Sequence, residues 1–204
     1  MAHSGPGYVS LVVITEEISR IHSSMRVAIN MQVGPASAVV DFGNEDQKKR
    51  FVPKIASAEW LSCFAITEPD AGSDVGAMRT TAMKDGNDYV LNGSKTWISN
   101  AQVADVALVY AYTDPKTKYK GMSAFMVDLH TPGITTRAIQ EKLGAHASPT
   151  GELFFDNCRV PKENLLGKEG DGFKICMTEL NNTRLSCGAG AVGVARACRE
   201  AAQQ

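Results

Sequence analysis

Lys84-Asp85-Gly86-Asn87-Asp88-Tyr89-Val90-Leu91-Asn92-Gly93-Ser94-Lys95-Thr96-Trp97-Ile98-Ser99-Asn100 is the stretch whose reading decides the fold. Two short runs rich in aromatic and β-branched residues, Tyr89–Leu91 and Lys95–Ser99, read as strands. Asp85-Gly86-Asn87 and Asn92-Gly93 read as hairpin turns, because Asn and Gly tolerate positive φ. The same texture continues outward, with Leu61–Thr67, Val106–Tyr112, Ser123–Asp128 and Glu152–Phe155 as further strand candidates. Many short strands with regular turns predict an antiparallel β-sandwich or barrel rather than alternating βαβ units.

Both flanks are helical. Leu11, Ile14, Ile18, Ile21 and Met25 recur at spacings of three and four and share one helix face. Pro35 is placed in the first turn of a second helix that Gly43 ends, and Asn44 with Gln47 resembles a capping box for a third. From Asp171 one long helix is expected to run to Gln204. Phe173, Met177, Leu180, Arg184 and Cys187 share a stripe on it, and Gly188, Gly190 and Gly193 would admit a neighbouring helix closely. The expected class is α+β, with a helical part over 1–58, the β domain over 59–168 and a helix over 169–204. That helix ends without a cap, and Gly5-Pro6-Gly7 leads straight into the first one, so the expectation is a polypeptide truncated at both ends.

The 204 residues carry a formal net charge of −1 and are 44% hydrophobic, enough to bury a substantial core. No basic stripe is present to neutralise phosphates, which argues against a nucleic-acid partner. No apolar run approaches the roughly 20 residues that span a bilayer. Val9–Ile14 is interrupted by Ser10 and lacks the basic flank of a signal peptide. A cytoplasmic location is expected, or the mitochondrial matrix in a eukaryote. Cys63, Cys158, Cys176, Cys187 and Cys198 show no C-x-x-C spacing, which argues against a disulfide framework or zinc site. The last three recur every 11 residues and are expected to pack as buried thiols along one helix stripe. His3, His22, His130 and His146 have no metal-ligand spacing and are expected at the surface or in local hydrogen bonds.

Two segments carry chemistry. In Phe64-Ala65-Ile66-Thr67-Glu68-Pro69-Asp70-Ala71-Gly72-Ser73-Asp74 a strand ends in threonine and a small-residue loop exposes backbone amides suited to an anion. Taken alone, an ordinary surface turn would explain it. In Leu91–Asn100, Trp97 stands in a strand beside Thr96 and Ser99, where a lone tryptophan is usually core. Together they closely resemble the acyl-CoA dehydrogenase family. The resemblance continues through Gly121-Met122-Ser123-Ala124-Phe125, Val160-Pro161-Lys162-Glu163-Asn164-Leu165-Leu166-Gly167, Gly170-Asp171-Gly172-Phe173 and Asn182-Thr183-Arg184, in the family's order.

The resemblance implies FAD as cofactor and α,β-dehydrogenation of an acyl-CoA thioester, with a glutamate taking the α-proton and the β-hydrogen leaving as hydride. It implies that Phe64, Ile66 and Thr67 run along the flavin, with Thr67 near its N5. Gly72 and Ser73 would approach the pyrophosphate, Ser73 also the acyl-CoA, while Trp97, Ile98 and Ser99 form the far wall. Asn181 and Arg184, three apart on one helix face, are implied in substrate contact, with a structural salt bridge as the competing role for Arg184. Arg26 is a candidate for recognising a dicarboxyl acyl group such as glutaryl, against an ordinary exposed helix charge.

Thr183 stands where one branch of the family carries the glutamate, so the catalytic base is expected beyond residue 204 and the isolated chain is expected to be inactive. His146 stands where the family more often has arginine. An electron-transferring flavoprotein as acceptor and a homo-oligomer, typically a tetramer, follow from the resemblance alone. The alternative is a non-catalytic flavin- or CoA-binding or structural fragment of the same fold. An acyl-CoA oxidase is a third reading, disfavoured by the short-chain dehydrogenase style of 162–172.

Overall fold

The structure, a computed structural model, describes residues 7–204, so His3 and the Gly5-Pro6 pair lie outside the described residues. In chain order the elements are α1 (Gly7–Phe42), α2 (Glu45–Ala56), β1 (Ser62–Ala65), β2 (Thr81–Asp85), β3 (Asp88–Ser99), β4 (Val106–Tyr112), β5 (Met122–Asp128), β6 (Ile134–Ala138), β7 (Thr150–Pro161), β8 (Leu165–Leu166) and α3 (Gly172–Ala202).

The eight strands form one sheet in the order β6-β7-β3-β2-β4-β5-β8, with β1 also against β4. Antiparallel pairings dominate, as expected. The sheet is nonetheless mixed, because β1 runs parallel to β4 and Thr81 of β2 meets Tyr112 of β4 in parallel. Tyr89 of β3 and Phe125 of β5 touch at 5.0 Å between ring centroids although β2 and β4 separate them in the sheet. The sheet therefore curls around an inner core that includes Leu91, Ile98, Val109, Val127 and Leu153. Alternate residues of the same strands, such as Leu108, Tyr110 and Met126, meet Val39, Phe51, Ile55 and Ile175 of the helices in a second core.

The turn expected at Gly86 forms, and its φ of +63° closes the β2–β3 hairpin. The turn expected at Asn92-Gly93 does not. Tyr89–Leu91 and Lys95–Ser99 are parts of one strand, β3, and Gly93 sits at a register shift against β7. The physical reason is close approach: a Cβ on Gly93 would lie 2.6 Å from Thr80 Oγ1, and its φ of +142° excludes ordinary side chains. Strands β2, β6 and β8 carry too little alternation to stand out in the sequence.

On the helical side, Gly43 does end α1, and the Asn44–Gln47 capping box forms. The break placed at Pro35 is instead at His22, whose backbone leaves helical geometry (φ −155°, ψ 88°). The His22 ring then caps the helical segment after the break, its Nδ1 accepting from Met25 N at 3.2 Å. Pro35 lies within the helix, where it leaves the carbonyl of Met31 without its usual i+4 donor. Ser62 Oγ of β1 donates to that carbonyl at 2.6 Å, and Gln32 Oε1 accepts from Ser62 N at 2.6 Å. The gap left by the proline thus becomes the point that docks β1 onto α1.

Helix α1 also packs along α3. On the apolar face of α1, Ile14, Ile21 and Met25 are exposed and Leu11 and Ile18 half-buried, whereas Thr15, Ser19 and Asn30 are buried. Close approach explains the preference for small residues in the seam. A Cβ on Gly193 would lie 2.1 Å from the carbonyl of Glu16, and one on Gly190 would lie 2.6 Å from Arg26 Cδ, while Gly188 faces open space. Arg196 pairs with Glu16 and Glu17, and Arg20 with Glu200, across the same seam. Cys176 is buried as expected, but Cys187 and Cys198 are exposed, because only the Ser186–Gly190–Gly193 side of α3 meets α1. All five cysteines are free, and no helix among the described residues is long and apolar enough to cross a membrane.

Candidate functional site

The two chemistry-bearing segments are hydrogen-bonded neighbours. Thr96 N donates to Thr67 O at 2.9 Å, and Asn100 Nδ2 donates to Ser62 O at 3.3 Å. What allows this is a second irregularity in β3: the register against β7 shifts between Lys95 and Ile98, leaving Thr96 and Trp97 as a bulge opposite Glu152. Trp97 adopts φ of +59°, a left-handed conformation uncommon outside glycine, and its side chain is 60% exposed. Such outliers cost free energy and cluster where proteins bind ligands.

Around it, Thr67 and Ser99 are half-buried, and Gly72 and Ser73 are exposed. A Cβ on Gly72 would meet nothing within 4 Å, so this part of the loop is open to an incoming group. The loop turns tightly first, with Glu68 and Ala71 exchanging backbone bonds at 3.0 and 3.1 Å. Phe64 is half-buried against Tyr110, its ring centroid 5.2 Å away. Ile66 and Ile98 send their side chains into the two cores. Only their main chain is available to a ligand, which narrows the role the resemblance implied for them.

Arg26, Asn181 and Arg184 lie on the helix pair. Arg184 is exposed and bonds to Asn181 Oδ1, so it does not occupy the buried stripe assigned to it and needs no carboxylate there. Arg26 is half-buried against Gly190, and its Nε is buried without a hydrogen-bond partner, which is costly for a charged donor. Between α1 and α3 lies a slot of about 20 Å³ lined by Asn30, Ser37, Glu179, Thr183 and Ser186. An adjoining open trough of about 620 Å³ is lined by Tyr8, Leu11, Ile14, Val33, Val40 and Asp41.

Sequence reasoning misses the surroundings of two buried acids. Glu68 reads as a loop residue, yet its carboxylate is 6% exposed and faces Lys95, which is 0% exposed. Burial opposes ionisation of Glu68, but the charge of Lys95 and the bonds from Lys95, Thr80 and Arg79 outweigh it and lower its pKa. Burial pulls the Lys95 ammonium down to about 8, against the opposing pull of Glu68. The signal available in the sequence is a lysine in the inward phase of a strand. Glu179, fully buried, accepts from Ser37 Oγ at 2.6 Å and leaves Oε1 without a partner. Burial pushes its carboxyl up to about 7, with Asp41 adding to the shift. No group of three or more His, Cys, Asp or Glu suited to a metal occurs among the described residues.

The N-terminal domain model of acyl-CoA dehydrogenases matches residues 2–59, and the middle-domain model matches residues 63–158. A glutaryl-CoA dehydrogenase of Desulfococcus multivorans is 56% identical over 198 residues, an alignment covering 96% of this chain and 51% of that protein. The solved structure of a glutaryl-coenzyme A dehydrogenase–glutaryl-CoA complex superposes with a TM-score of 0.94 at 56% identity, covering 96% of this chain and 50% of that one. A glutaryl-CoA dehydrogenase of Mycobacterium smegmatis in complex with FADH2 superposes with a TM-score of 0.87 at 37% identity, covering 93% and 48%. The chain spans about half the length of the relatives it matches.

Proposed function

Because the chain belongs to the acyl-CoA dehydrogenase family, as its N-terminal and middle domains, we propose that it supplies the flavin wall of an enzyme that introduces an α,β double bond into an acyl-CoA thioester. The observation that carries this reading is Trp97, an exposed indole on a strained bulge beside Thr67. FAD, when bound, supplies a ring that accepts the hydride leaving the β-carbon. A flat ring needs one apolar face and a few fixed donors, and the residues present fit that need. Trp97 offers the face, Thr67 and Ser99 offer hydroxyls beside it, and the open Gly72-Ser73 turn offers amides to a diphosphate.

Among the described residues the carboxylates of this wall are engaged: Asp70 pairs with Arg79 at 3.4 Å, Asp74 accepts from Gly76 N and Tyr119 Oη, and Glu152 pairs with Arg137. Glu68 is consumed by bonds from Lys95, Thr80 and Arg79, and Glu179 lies in the α1–α3 seam. We therefore place the base that removes the α-proton outside these 204 residues. The 56% identity to a glutaryl-CoA dehydrogenase favours an acyl group ending in a carboxylate over a plain short chain, with the half-buried Arg26 as the candidate cation for it. Asn181 and Arg184 are assigned to the thioester's carrier. An electron-transferring flavoprotein as acceptor, a homo-oligomeric assembly, and a cytoplasmic or mitochondrial-matrix location complete the proposal. A non-catalytic flavin-binding fragment is the competing reading.

Titrating the chain with FAD and following flavin fluorescence tests the wall. Wild type is expected to retain FAD only weakly, with Trp97→Ala binding ~10-fold more weakly still, the scale of one lost stacking contact. Equal affinity for both proteins sinks the reading. Added acyl-CoA is expected not to bleach the flavin in this chain alone, and Arg26→Ala is expected to erase any preference for glutaryl- over butyryl-CoA in binding.

A further inference from the structure

Directly beneath the Thr67–Ser73 loop lies a buried ion pair that neither substrate nor cofactor is expected to touch. Lys95 Nζ donates to Glu68 Oε1 at 2.8 Å and to the carbonyl of Ile66 at 3.2 Å. The Glu68 carboxylate also accepts from Thr80 Oγ1 at 2.5 Å, Thr80 N at 3.1 Å and Arg79 N at 2.6 Å. Thr80 reaches this position because Gly93 has no side chain to block it. Three separate segments, around residues 66–71, 79–80 and 93–96, are thereby joined at one point.

Stability alone does not explain such a pair. Burying two charges carries a large desolvation cost, and well-packed apolar residues of the same volume are often as stable. Apolar contacts, however, are non-directional. The bonds made by Lys95 and Glu68 fix where particular backbone atoms stand. Consecutive carbonyls of the loop's entry are held by consecutive residues of β3: Ile66 O by the Lys95 side chain and Thr67 O by Thr96 N. Just beyond them the loop becomes exposed at Gly72 and Ser73. We propose that Lys95 and Glu68 are positioning residues that set the 66–73 loop in its ligand-ready shape before the cofactor arrives. The proposal rests on the flavin reading above for what the loop receives, and on the hydrogen bonds for the positioning itself. Preorganisation of this kind acts on affinity by removing an ordering cost from the binding step.

The test compares wild type with the double variant Glu68→Gln/Lys95→Met by residue-resolved amide exchange, thermal unfolding and FAD titration. The expected result is a melting temperature within about 4 °C of wild type. Exchange at 66–73 and at the amides of Arg79, Thr80 and Thr96 should rise ~10-fold, with β4 and β5 unchanged, and FAD should bind ~10-fold more weakly. Exchange that rises uniformly, or local exchange and affinity that match wild type, overturns the proposal. If the double variant does not fold, Thr80→Val, which leaves the ion pair intact, is expected to show the same local pattern at lower amplitude; unaltered local exchange there overturns it equally. If wild type itself ignores FAD, the flavin reading fails and the exchange comparison alone decides the positioning role.

Discussion

At the scale of single residues, the two buried carboxylates show how surroundings set chemistry. Glu68 receives four donors and stays ionised, whereas Glu179 receives one and is held partly protonated near neutrality. The consequence for Glu179 is a pH dependence of stability. In the unfolded chain its carboxyl titrates at the ordinary value of 4.5, and in the folded protein at about 7. Between those values the folded state holds a proton that the unfolded state has released, so stability falls as pH rises through the window and is level above it. Glu179→Gln keeps the acceptor for Ser37 and removes the charge. It is expected to raise stability at pH 8 by about 2–3 kcal/mol and to change little at pH 4.5. Thermal unfolding at both pH values checks this, and an equal loss at both would mean that the charge is not what matters there. Trp97 illustrates the opposite case, a residue whose type alone would place it in the core, while the structure exposes it on a left-handed backbone.

At the scale of elements, the docking of β1 on α1 is a trade between a missing donor and a supplied one. Pro35 frees the Met31 carbonyl, and Ser62 Oγ takes it at 2.6 Å. Ser62→Ala is expected to cost about 1–3 kcal/mol, the penalty of a buried acceptor left unpaired. In a Pro35→Ala background the backbone N–H regained at that position can serve the same carbonyl, so the cost of Ser62→Ala should shrink. A double-mutant cycle in denaturant reads this coupling directly; additive costs would show that the two residues act independently. The Asn44–Gln47 box and the Gly86 turn were legible because each is a local bond pattern within a few residues. The Ser62–Met31 bond spans 31 residues, and nothing near either residue announces it.

At the scale of the whole molecule, the chain has a sheet packed on both faces and an unevenly covered helical face. The seam between α1 and α3 is polar, narrow and laced with ion pairs, while apolar residues turn outward: Val9, Val13, Ile14, Ile21 and Met25 on α1, and Leu185, Val192 and Val194 on α3. Surfaces of this kind drive association in isolated proteins. The chain is expected to self-associate with rising concentration in sedimentation experiments, and Ile14→Glu with Val192→Glu to reduce it. A strictly monomeric wild type over the same range would show that these side chains are too scattered to act as a patch.

From the sequence by itself came the α+β class, the family motifs in their order, and two segments that the structure makes hydrogen-bonded neighbours. The class depends on turn residues, period-two alternation and capping patterns, which act over a few positions, and the motifs on their resemblance to a family. Tertiary structure alone decided which face of α1 is buried, that Asn92-Gly93 bulges instead of turning, and that Lys95 meets Glu68 across 27 residues. Periodicity says which side chains share a face but not which face has a partner, and close approach, by Thr80 at Gly93 and by the α1 backbone at Gly193, exists only once distant segments have been brought together.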